Sequence, residues 1–285
     1  MRYQKLSPRQ NLAMTWWNRP SFGDYDGIIC DGSIRSGKTV SMTDGFILWS
    51  MSRFNGQSFA ICGKTIESLR RNVITLMPQW LEGIFSITER RSENKLIITS
   101  GGVTNSYYMF GGKDESSYTL VQGITLAGVL FDEVALMPRS FVEQAMARCS
   151  VAGSKFWFNC NPEKPGHWFY VEWIKKARER NILYLHFTMD DNLSLAPEIK
   201  ARYEGMYTGV FYRRYILGLW VKAEGLVYPM FDRSAHIVPK VPALNPRHRY
   251  YVAVDYGTVN PFAAGLYDYS PSEQKAIMVK ELYYK

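Results

Sequence analysis

The chain has 285 residues and a mass of 32.9 kDa, enough for one large domain or for one domain and part of another. Hydrophobic residues make up 46% of it and charged residues 21%, which excludes a chain too polar to bury a core. Lysine and arginine outnumber aspartate and glutamate by 34 to 26, and the resulting charge of +8 suits an anionic partner such as nucleic acid, although scattered charges also fit an ordinary basic protein.

The N-terminal region predicts a short helix and no targeting signal. Residues 1–10 contain no apolar signal core, and no run in the chain approaches about eighteen apolar residues, so we expect a cytoplasmic protein without a membrane span. A helix is predicted from Ser7 to Trp17, with Ser7 as its N-cap and Pro8 at its first position. Near this helix, Gln10 and the pair Trp16-Trp17 either enclose an adenine base or simply pack.

The next stretch fits the phosphate-binding loop pattern G-x-x-x-x-G-K-[ST] at every fixed position. It follows the apolar run Ile28-Ile29-Cys30, precedes an amphipathic helix, and reads Gly32-Ser33-Ile34-Arg35-Ser36-Gly37-Lys38-Thr39. Two glycines allow a tight turn whose backbone N–H groups face a polyphosphate, and the following helix adds its positive end. Lys38 is then placed to reach the β- and γ-phosphates, and the Thr39 hydroxyl to ligate Mg²⁺. The alternative is a glycine-rich turn without a ligand.

Several elements follow the loop before the next candidate site. A strand is predicted over 58–62 and a helix over 65–80, which ends at Pro78 or is bent by it. The stretches 95–99 and 104–110 predict a β-hairpin.

A buried strand, Gly128-Val129-Leu130-Phe131, leads directly into Asp132 and Glu133. Its continuous apolar run is typical of a strand that is covered on both faces in a parallel sheet. In nucleotide hydrolases the first acid at such a strand end supports Mg²⁺, and the second deprotonates the attacking water. We therefore expect Asp132 to support the metal and Glu133 to be the general base. Without the preceding loop, the same pattern would indicate only a strand that leaves the core.

Another apolar strand, over 156–162, follows a predicted helix over 138–149 and ends in polar side chains, among them two asparagines. Ligands bind beyond the carboxyl ends of strands in open α/β sheets, so Asn159 or Asn161 could contact a γ-phosphate or its water. Alternatively, Asn161-Pro162 only begins a turn.

The remaining chain predicts a helix over 167–180, a strand over 182–187 and a helix-rich segment over 196–220. Basic residues at the helix ends are interpreted as solvated, and His167 and His186, which lack metal-ligand spacing, as structural. The proline-containing stretch 221–246 predicts a linker. Strands are then expected over 249–257, where Asp255 stands near the strand end, over 261–267 and over 275–282.

The ordered set of motifs resembles the large terminase subunit of tailed bacteriophages. The resemblance covers essentially the whole chain and is carried by the loop, the acidic strand, Phe158-Asn159-Cys160-Asn161-Pro162 with His167-Trp168-Phe169-Tyr170, Gly218-Leu219-Trp220, Gly225-Leu226-Val227-Tyr228-Pro229, and Val252-Ala253-Val254-Asp255-Tyr256-Gly257. The phosphate-binding loop alone is common to many nucleotidases, but the set is specific.

The resemblance implies an α/β P-loop NTPase of the ASCE/RecA-like type, with a mostly parallel central sheet, a small helical lid and the first strands of an RNase-H-like domain. The expected domains are an ATPase domain over 1–220 with its lid at about 176–220, a linker over 221–246, and the beginning of a nuclease domain over 247–285. The implied cofactors are ATP and Mg²⁺. The implied partners are double-stranded DNA, the portal of the prohead, the small terminase subunit and further copies in a ring, in the cytoplasm of the host bacterium.

The resemblance also assigns roles to individual residues. Arg35 resembles a loop arginine that senses the γ-phosphate, Asn159-Cys160-Asn161 takes the place of the motif that couples hydrolysis to movement, and Gln10 resembles an adenine-reading glutamine. Lys38 and Thr39 bind phosphate and Mg²⁺, with Asp132 supporting the metal and Glu133 activating water.

Two departures from the family pattern modify these expectations. Val121-Gln122-Gly123 stands where some members have an arginine finger, so Arg139 and Arg148 become candidates for a finger acting between subunits. Only Asp255 matches the acids of the nuclease metal site, and one carboxylate cannot hold two metals, so we expect no DNA cleavage by this chain alone. A P-loop helicase and a nucleotide-dependent assembly module that does not hydrolyse ATP remain as alternatives.

Overall fold

An eight-stranded sheet organises the first of two units into which the chain divides, Met1–Glu224 and Gly225–Lys285. The computed structural model describes residues 6–222, 233–255 and 262–284. The strands of the large sheet are β1 (Gly27–Gly32), β2 (Ser58–Gly63), β3 (Ser86–Arg90), β4 (Lys95–Ser100), β5 (Val103–Gly111), β6 (Gly128–Phe131), β7 (Lys155–Asn159) and β8 (Ile182–Phe187).

The strand order is β3-β4-β5-β2-β6-β7-β1-β8, and every neighbouring pair from β5 to β8 is parallel. The two strand pairs at one edge of the sheet, β3-β4 and β4-β5, are antiparallel, so β4 alone runs against the other strands. The carboxyl ends of β1, β6 and β7 therefore lie at the same edge, with β7 between the other two. This arrangement confirms the α/β fold with a mostly parallel sheet, and it brings the loop after β1 and the acids after β6 within reach of the residues that end β7.

The helices of this unit are α1 (Pro8–Thr15), α2 (Lys38–Arg53), α3 (Ile66–Leu69), α4 (Met77–Trp80), α5 (Arg139–Ala147), α6 (Pro197–Met206) and α7 (Gly209–Phe211). Three π-helical turns span Arg70–Ile74, Tyr170–Ile174 and Tyr212–Ile216. Shorter 3₁₀ turns span Trp16–Asn18, Arg91–Glu93, Glu115–Val121, Val134–Leu136 and Met189–Asp191. No helix in the described ranges is both long and apolar enough to cross a bilayer.

The predicted helix over 65–80 is a broken one. It consists of α3, the π turn Arg70–Ile74 and α4, because Pro78 lies in the first turn of α4, where its missing N–H leaves no hydrogen bond unmade. The predicted hairpin over 95–110 is confirmed as β4 and β5, joined through Gly101 and Gly102, both with positive φ. Strand β3 was not predicted.

Aromatic side chains fill the core on both faces of the sheet. On one face, Phe46 and Trp49 of α2 pack against Trp157, with ring centroids 5.2 and 4.6 Å apart. Trp16 is fully buried in the same cluster, 5.2 Å from Trp157, so the structure favours core packing rather than adenine contact for Trp16. On the opposite face, Phe131 and Phe158 stack at 5.3 Å. Burying each such side chain contributes roughly 2–3 kcal/mol and holds the strands in register beneath the cleft.

The second unit contains α8 (Arg233–His236) and an antiparallel sheet of β9 (Arg249–Asp255), β10 (Phe262–Ser270) and β11 (Lys275–Tyr284), in the order β11-β10-β9. All three strands predicted there are present. Parts of the predictions at 225–229, 256–257 and Pro261 lie outside the described residues. Asp255 is the last residue of β9 and is exposed, opposite Ala263 of β10.

Candidate active site

The phosphate-binding loop occupies the turn between β1 and α2, and two glycines make its path possible. Gly32 has φ of 131°, and a Cβ there would lie 1.9 Å from the carbonyl oxygen of Phe187. Gly37 has φ of 83° at the N-cap of α2. These conformations and contacts exclude larger residues at both positions. The fixed glycines of the sequence pattern are therefore explained by backbone geometry.

Lys38 lies buried at the centre of the loop. Its ammonium donates to the carbonyl of Ser33 at 2.6 Å and that of Gly32 at 3.2 Å, to the Ser36 hydroxyl at 3.2 Å, and to Oδ1 of Asn161 at 3.1 Å. Burial lowers the pKa of this lysine from its usual value. The loop thus places the Lys38 ammonium where the sequence pattern predicts a phosphate-binding group. Asn161, which was predicted to lie near the γ-phosphate, accepts a hydrogen bond from this ammonium.

Thr39, Asp132 and Asn159 come together from three different elements. The Thr39 hydroxyl donates to Oδ1 of Asp132 at 3.3 Å, and Nδ2 of Asn159 lies within hydrogen-bond distance of both, 2.9 Å from Thr39 Oγ1 and 2.6 Å from Asp132 Oδ1. Asn159 can make both contacts because β7 lies between β1 and β6. Burial, followed by the charge of Glu133, raises the pKa of Asp132 to about 6.

These residues fit a magnesium ion carried on nucleotide phosphates. Mg²⁺ prefers oxygen ligands and often takes only one or two protein groups, with phosphates and water completing its shell. The oxygens of Thr39 and Asp132 provide that set, and the buried Oδ1 of Asn159 makes no hydrogen bond in the described part of the chain. Within the same ranges no group of three or more His, Cys, Asp or Glu side chains gathers for a metal, and an ion of this kind does not need one.

Glu133 adopts a left-handed backbone conformation, with φ of 59° and ψ of 46°, directly after β6. A non-glycine residue rarely adopts this conformation without a structural or functional reason. Its side chain lines the same cleft as Lys38 and Thr39 and forms no hydrogen bond or ion pair with the described residues. A carboxylate without a fixed partner beside a phosphate site is available to accept a proton.

Arg35 lies at the boundary between the loop and the helices that follow β8. Its Nε donates to the Tyr203 hydroxyl of α6 at 3.0 Å, and its carbonyl accepts from Nδ2 of Asn192 at 2.7 Å. Arg35 also lines the cleft. The structure therefore places it between the loop and α6, and its predicted role at the γ-phosphate stays a prediction.

Gln10 is held against the loop by its own helix cap. Its Oε1 accepts from the backbone N–H of Ser7 at 3.0 Å. Its Nε2 lies so close to the loop that a Cβ added at Gly37 would be only 2.3 Å from it. The indole of Trp17 donates to Met14 within the N-terminal segment. Gln10 is thus close to the nucleotide loop, and its adenine-reading role stays a prediction.

The cleft has a volume of about 520 Å³. Some of its walls come from residues that the sequence motifs do not include: Arg71, Asn72, Leu76, Trp80 and Asn192. Most of these residues lie on the broken helix 66–80. The π turn Arg70–Ile74 in this helix contains Arg71 and Asn72, and π turns are frequent at functional sites. Neither candidate finger lines this cleft: Arg139 pairs with Glu143 at 2.6 Å, and Nε of Arg148 is buried without a partner in the described ranges.

A mostly parallel sheet with a phosphate-binding loop after one strand and paired acids after another defines a P-loop NTPase. A family model described as "Terminase large subunit, T4likevirus-type, N-terminal" matches residues 29–235. The chain belongs to this terminase large-subunit family. It is a DNA-packaging motor ATPase of that type, and neither the helicase nor the assembly-module alternative is favoured.

Solved structures agree with this assignment. The large terminase of a thermophilic bacteriophage is 55% identical, with a TM-score of 0.77, over 99% of this chain and 69% of that chain. The same terminase in complex with ATP-gamma-S is 53% identical, with a TM-score of 0.74, over 99% and 68%. The ATPase domain of the Thermus phage P74-26 large terminase, 15% identical with a TM-score of 0.52 over 69% and 90%, shares the fold. No curated protein matches.

Proposed function

We propose that the cleft binds ATP with Mg²⁺ and hydrolyses it, and that hydrolysis drives double-stranded DNA into the prohead. The observation that carries the proposal is the convergence of a buried lysine, a hydroxyl–carboxylate pair and an unpaired glutamate on one cleft. The terminase of the thermophilic bacteriophage, more than half identical to this chain, has been solved with ATP-gamma-S and with ADP, which supports the choice of nucleotide.

In this proposal each residue has one role. The loop of residues 32–39 and the ammonium of Lys38 hold the phosphates, with the amides of Ser33 and Ile34 donating instead to backbone carbonyls, and Arg35 reaches the γ-phosphate. Thr39 and Asp132 would hold Mg²⁺, which neutralises phosphate charge when it is bound. Glu133 takes a proton from water while the water oxygen bonds to the γ-phosphorus, and the bond from that phosphorus to the bridging oxygen breaks to release ADP.

Asn159 and Asn161 suit the coupling role because each contacts a different part of the nucleotide site. Asn159 contacts Thr39 and Asp132, whereas Asn161 accepts from Lys38. Asn159 is the last residue of β7 and Asn161 lies two residues further on, so a change at the phosphates can be transmitted through a single segment. We propose that this segment moves when the γ-phosphate leaves.

The wider organisation is part of the same proposal. Residues 1–220 form the ATPase domain with a lid at about 176–220, 221–246 a linker, and 247–285 the opening strands of a nuclease domain with Asp255 as its first acid. The proposed partners are DNA phosphates, the portal of the prohead, the small terminase subunit and other copies in a ring, within the host cytoplasm. The formal charge of +8 supports contact with a polyanion.

The test is phosphate release by wild type and by Glu133→Gln, each with and without DNA. Glu143→Gln, on the exposed surface of α5, is a matched control. We expect slow turnover by wild type, faster turnover on a portal with DNA, and a loss of roughly 10²- to 10⁴-fold in Glu133→Gln with nucleotide binding retained. Wild-type turnover by Glu133→Gln would refute the assignment of the base, and strand displacement by the chain would favour a helicase.

A further inference from the structure

Asp31, the penultimate residue of β1, is a fully buried carboxylate that has no role in the proposed hydrolysis. Three side chains surround it. The Tyr184 hydroxyl donates to Oδ1 at 2.9 Å, His186 Nδ1 lies 2.9 Å from the same oxygen, and the indole N–H of Trp220 donates to Oδ2 at 2.6 Å. A buried charge with this many donors is stable only while they stay in place.

Trp220 connects Asp31 to a segment that begins at the end of the π turn Tyr212–Ile216. We call residues 215–220 the strap. The Tyr215 carbonyl accepts from the N–H of Ile34 at 2.9 Å, so the strap contacts the phosphate-binding loop directly. Gly218 has φ of 69°, and a Cβ there would lie 2.7 Å from the nitrogen of Ser33. The strap therefore rests against the loop backbone at one end and is held by the indole of Trp220 at the other.

His186 adds a second connection between Asp31 and the strap. Its hydrogen bond to Asp31 raises the pKa of the imidazole, and a hydrogen bond to the backbone of Leu217 raises it further. A protonated ring can donate to both groups at once. The carboxylate thus holds the strap through Trp220 and, by way of His186, through Leu217.

We propose that Asp31 is a positioning residue: by holding Trp220 it fixes the strap against the phosphate-binding loop and so sets how long a nucleotide stays in the cleft. The inference rests on the proposed nucleotide site. The effect is local. The hydrogen bond from the Ile34 N–H to the Tyr215 carbonyl of the strap holds the backbone of the phosphate-binding loop in its observed conformation. A strap released from Asp31 leaves the loop free to move and the nucleotide free to depart.

Two variants separate this role from a general loss of stability. Trp220→Phe removes the donor to Asp31 but keeps a ring that can stack on Tyr170, whose centroid lies 4.8 Å away. Tyr184→Phe removes a donor to the same carboxylate from β8, outside the strap. Both variants lose one hydrogen bond to Asp31, but only Trp220→Phe removes a direct bond between Asp31 and the strap.

The experiment measures amide hydrogen exchange without nucleotide and the release rate of a fluorescent ADP. In Trp220→Phe we expect exchange of the Ile34 amide to accelerate about tenfold or more, while the Ser33 amide, which donates to Phe187 at 2.9 Å, stays within about twofold. ADP release should accelerate several-fold, with Tyr184→Phe within about twofold of wild type on both measures.

Equal effects of the two variants, or an unchanged Ile34 amide in Trp220→Phe, would refute the proposal. Faster Ile34 exchange with unchanged ADP release would refute its nucleotide part. If the wild-type protein bound no ADP at all, the proposed function would fail, and the exchange data would still decide whether Asp31 holds the strap.

Discussion

Replacing Asp132 by asparagine is expected to stabilise the nucleotide-free protein while abolishing its hydrolysis of ATP. Asp132 is buried, and burial next to Glu133 raises its pKa from 3.8 to about 6. The carboxyl is therefore more readily ionised in the unfolded chain than in the folded one, and its ionisation at neutral pH opposes folding. An ion bound to the nucleotide would offset this penalty, but without one it is fully present.

The size of the effect follows from the pKa shift. At about 1.4 kcal/mol per pKa unit, the penalty is about 3 kcal/mol at pH 7. Because the folded pKa is raised, the penalty is absent below about pH 4 and grows until the pH passes about 6. Asparagine keeps an oxygen for Asn159 and Thr39 but accepts more weakly than a carboxylate, which removes about 1 kcal/mol of the gain. A net stabilisation of about 2 kcal/mol remains, or roughly 4–8 °C in Tm.

Thermal unfolding in EDTA at pH 7 and at pH 4.5 measures this difference. We expect Asp132→Asn to melt above wild type at pH 7 and the gap to shrink at the lower pH. The control is Asp31→Asn, which alters another buried aspartate. An asparagine there has one acceptor oxygen instead of two, so its NH₂ group would face one of the donors that now share the carboxylate, and this variant should melt below wild type. An Asp132→Asn protein less stable than wild type at pH 7, or a gap independent of pH, would refute the reasoning.

Three further variants test other parts of the site. Lys38→Ala removes the buried cation of the loop and should abolish ADP binding in calorimetry, so a Kd within about threefold of wild type would contradict its role. Asn159→Leu removes a donor to a carboxylate and should lower kcat by about ten- to a hundredfold in steady-state assays, and unchanged kcat would contradict the importance of its contacts with Thr39 and Asp132 for hydrolysis. Gly218→Ala places a Cβ at a position with positive φ and too close to the Ser33 nitrogen, so it should lower the free energy of unfolding in urea by more than about 2 kcal/mol. Gly209→Ala, with φ of 55° in open space, should cost only about 1–2, and equal losses would contradict the close approach of the strap.

The sequence was most informative where a function depends on adjacent residues. The loop 32–39 and the acids 132–133 are short patterns whose chemistry requires fixed spacing, and the structure brings both to one cleft. Strand β8 was predicted at its observed bounds because the run 182–187 is apolar at every position except His186. Strand β3 escaped because Ser-Ile-Thr-Glu-Arg contains one apolar residue, and only its pairing with β4 makes it a strand.

Contacts between distant segments were beyond the reach of sequence patterns. Arg35 meets Tyr203 across 168 positions, and Trp220 meets Asp31 across 189. No local motif encodes either pair, because the positions become neighbours only when the sheet has formed. The same limit applied to Trp16, whose residue type fits both an adenine contact and a core position. The cluster around Trp157 decides for the core.

The backbone itself gives an independent indication of where function lies. Of the five non-glycine residues with positive φ in the described ranges, two are Asn94 and Asn181, a residue type that tolerates this conformation, and one is Gln274 in the turn before β11. The other two are Arg35 and Glu133, with φ of 58° and 59°, and both line the cleft. Each conformation costs about 1–2 kcal/mol that a glycine would not. A fold under selection for stability alone would replace them, and the strain at these two positions supports the proposed roles of a guanidinium and a carboxylate beside the phosphates.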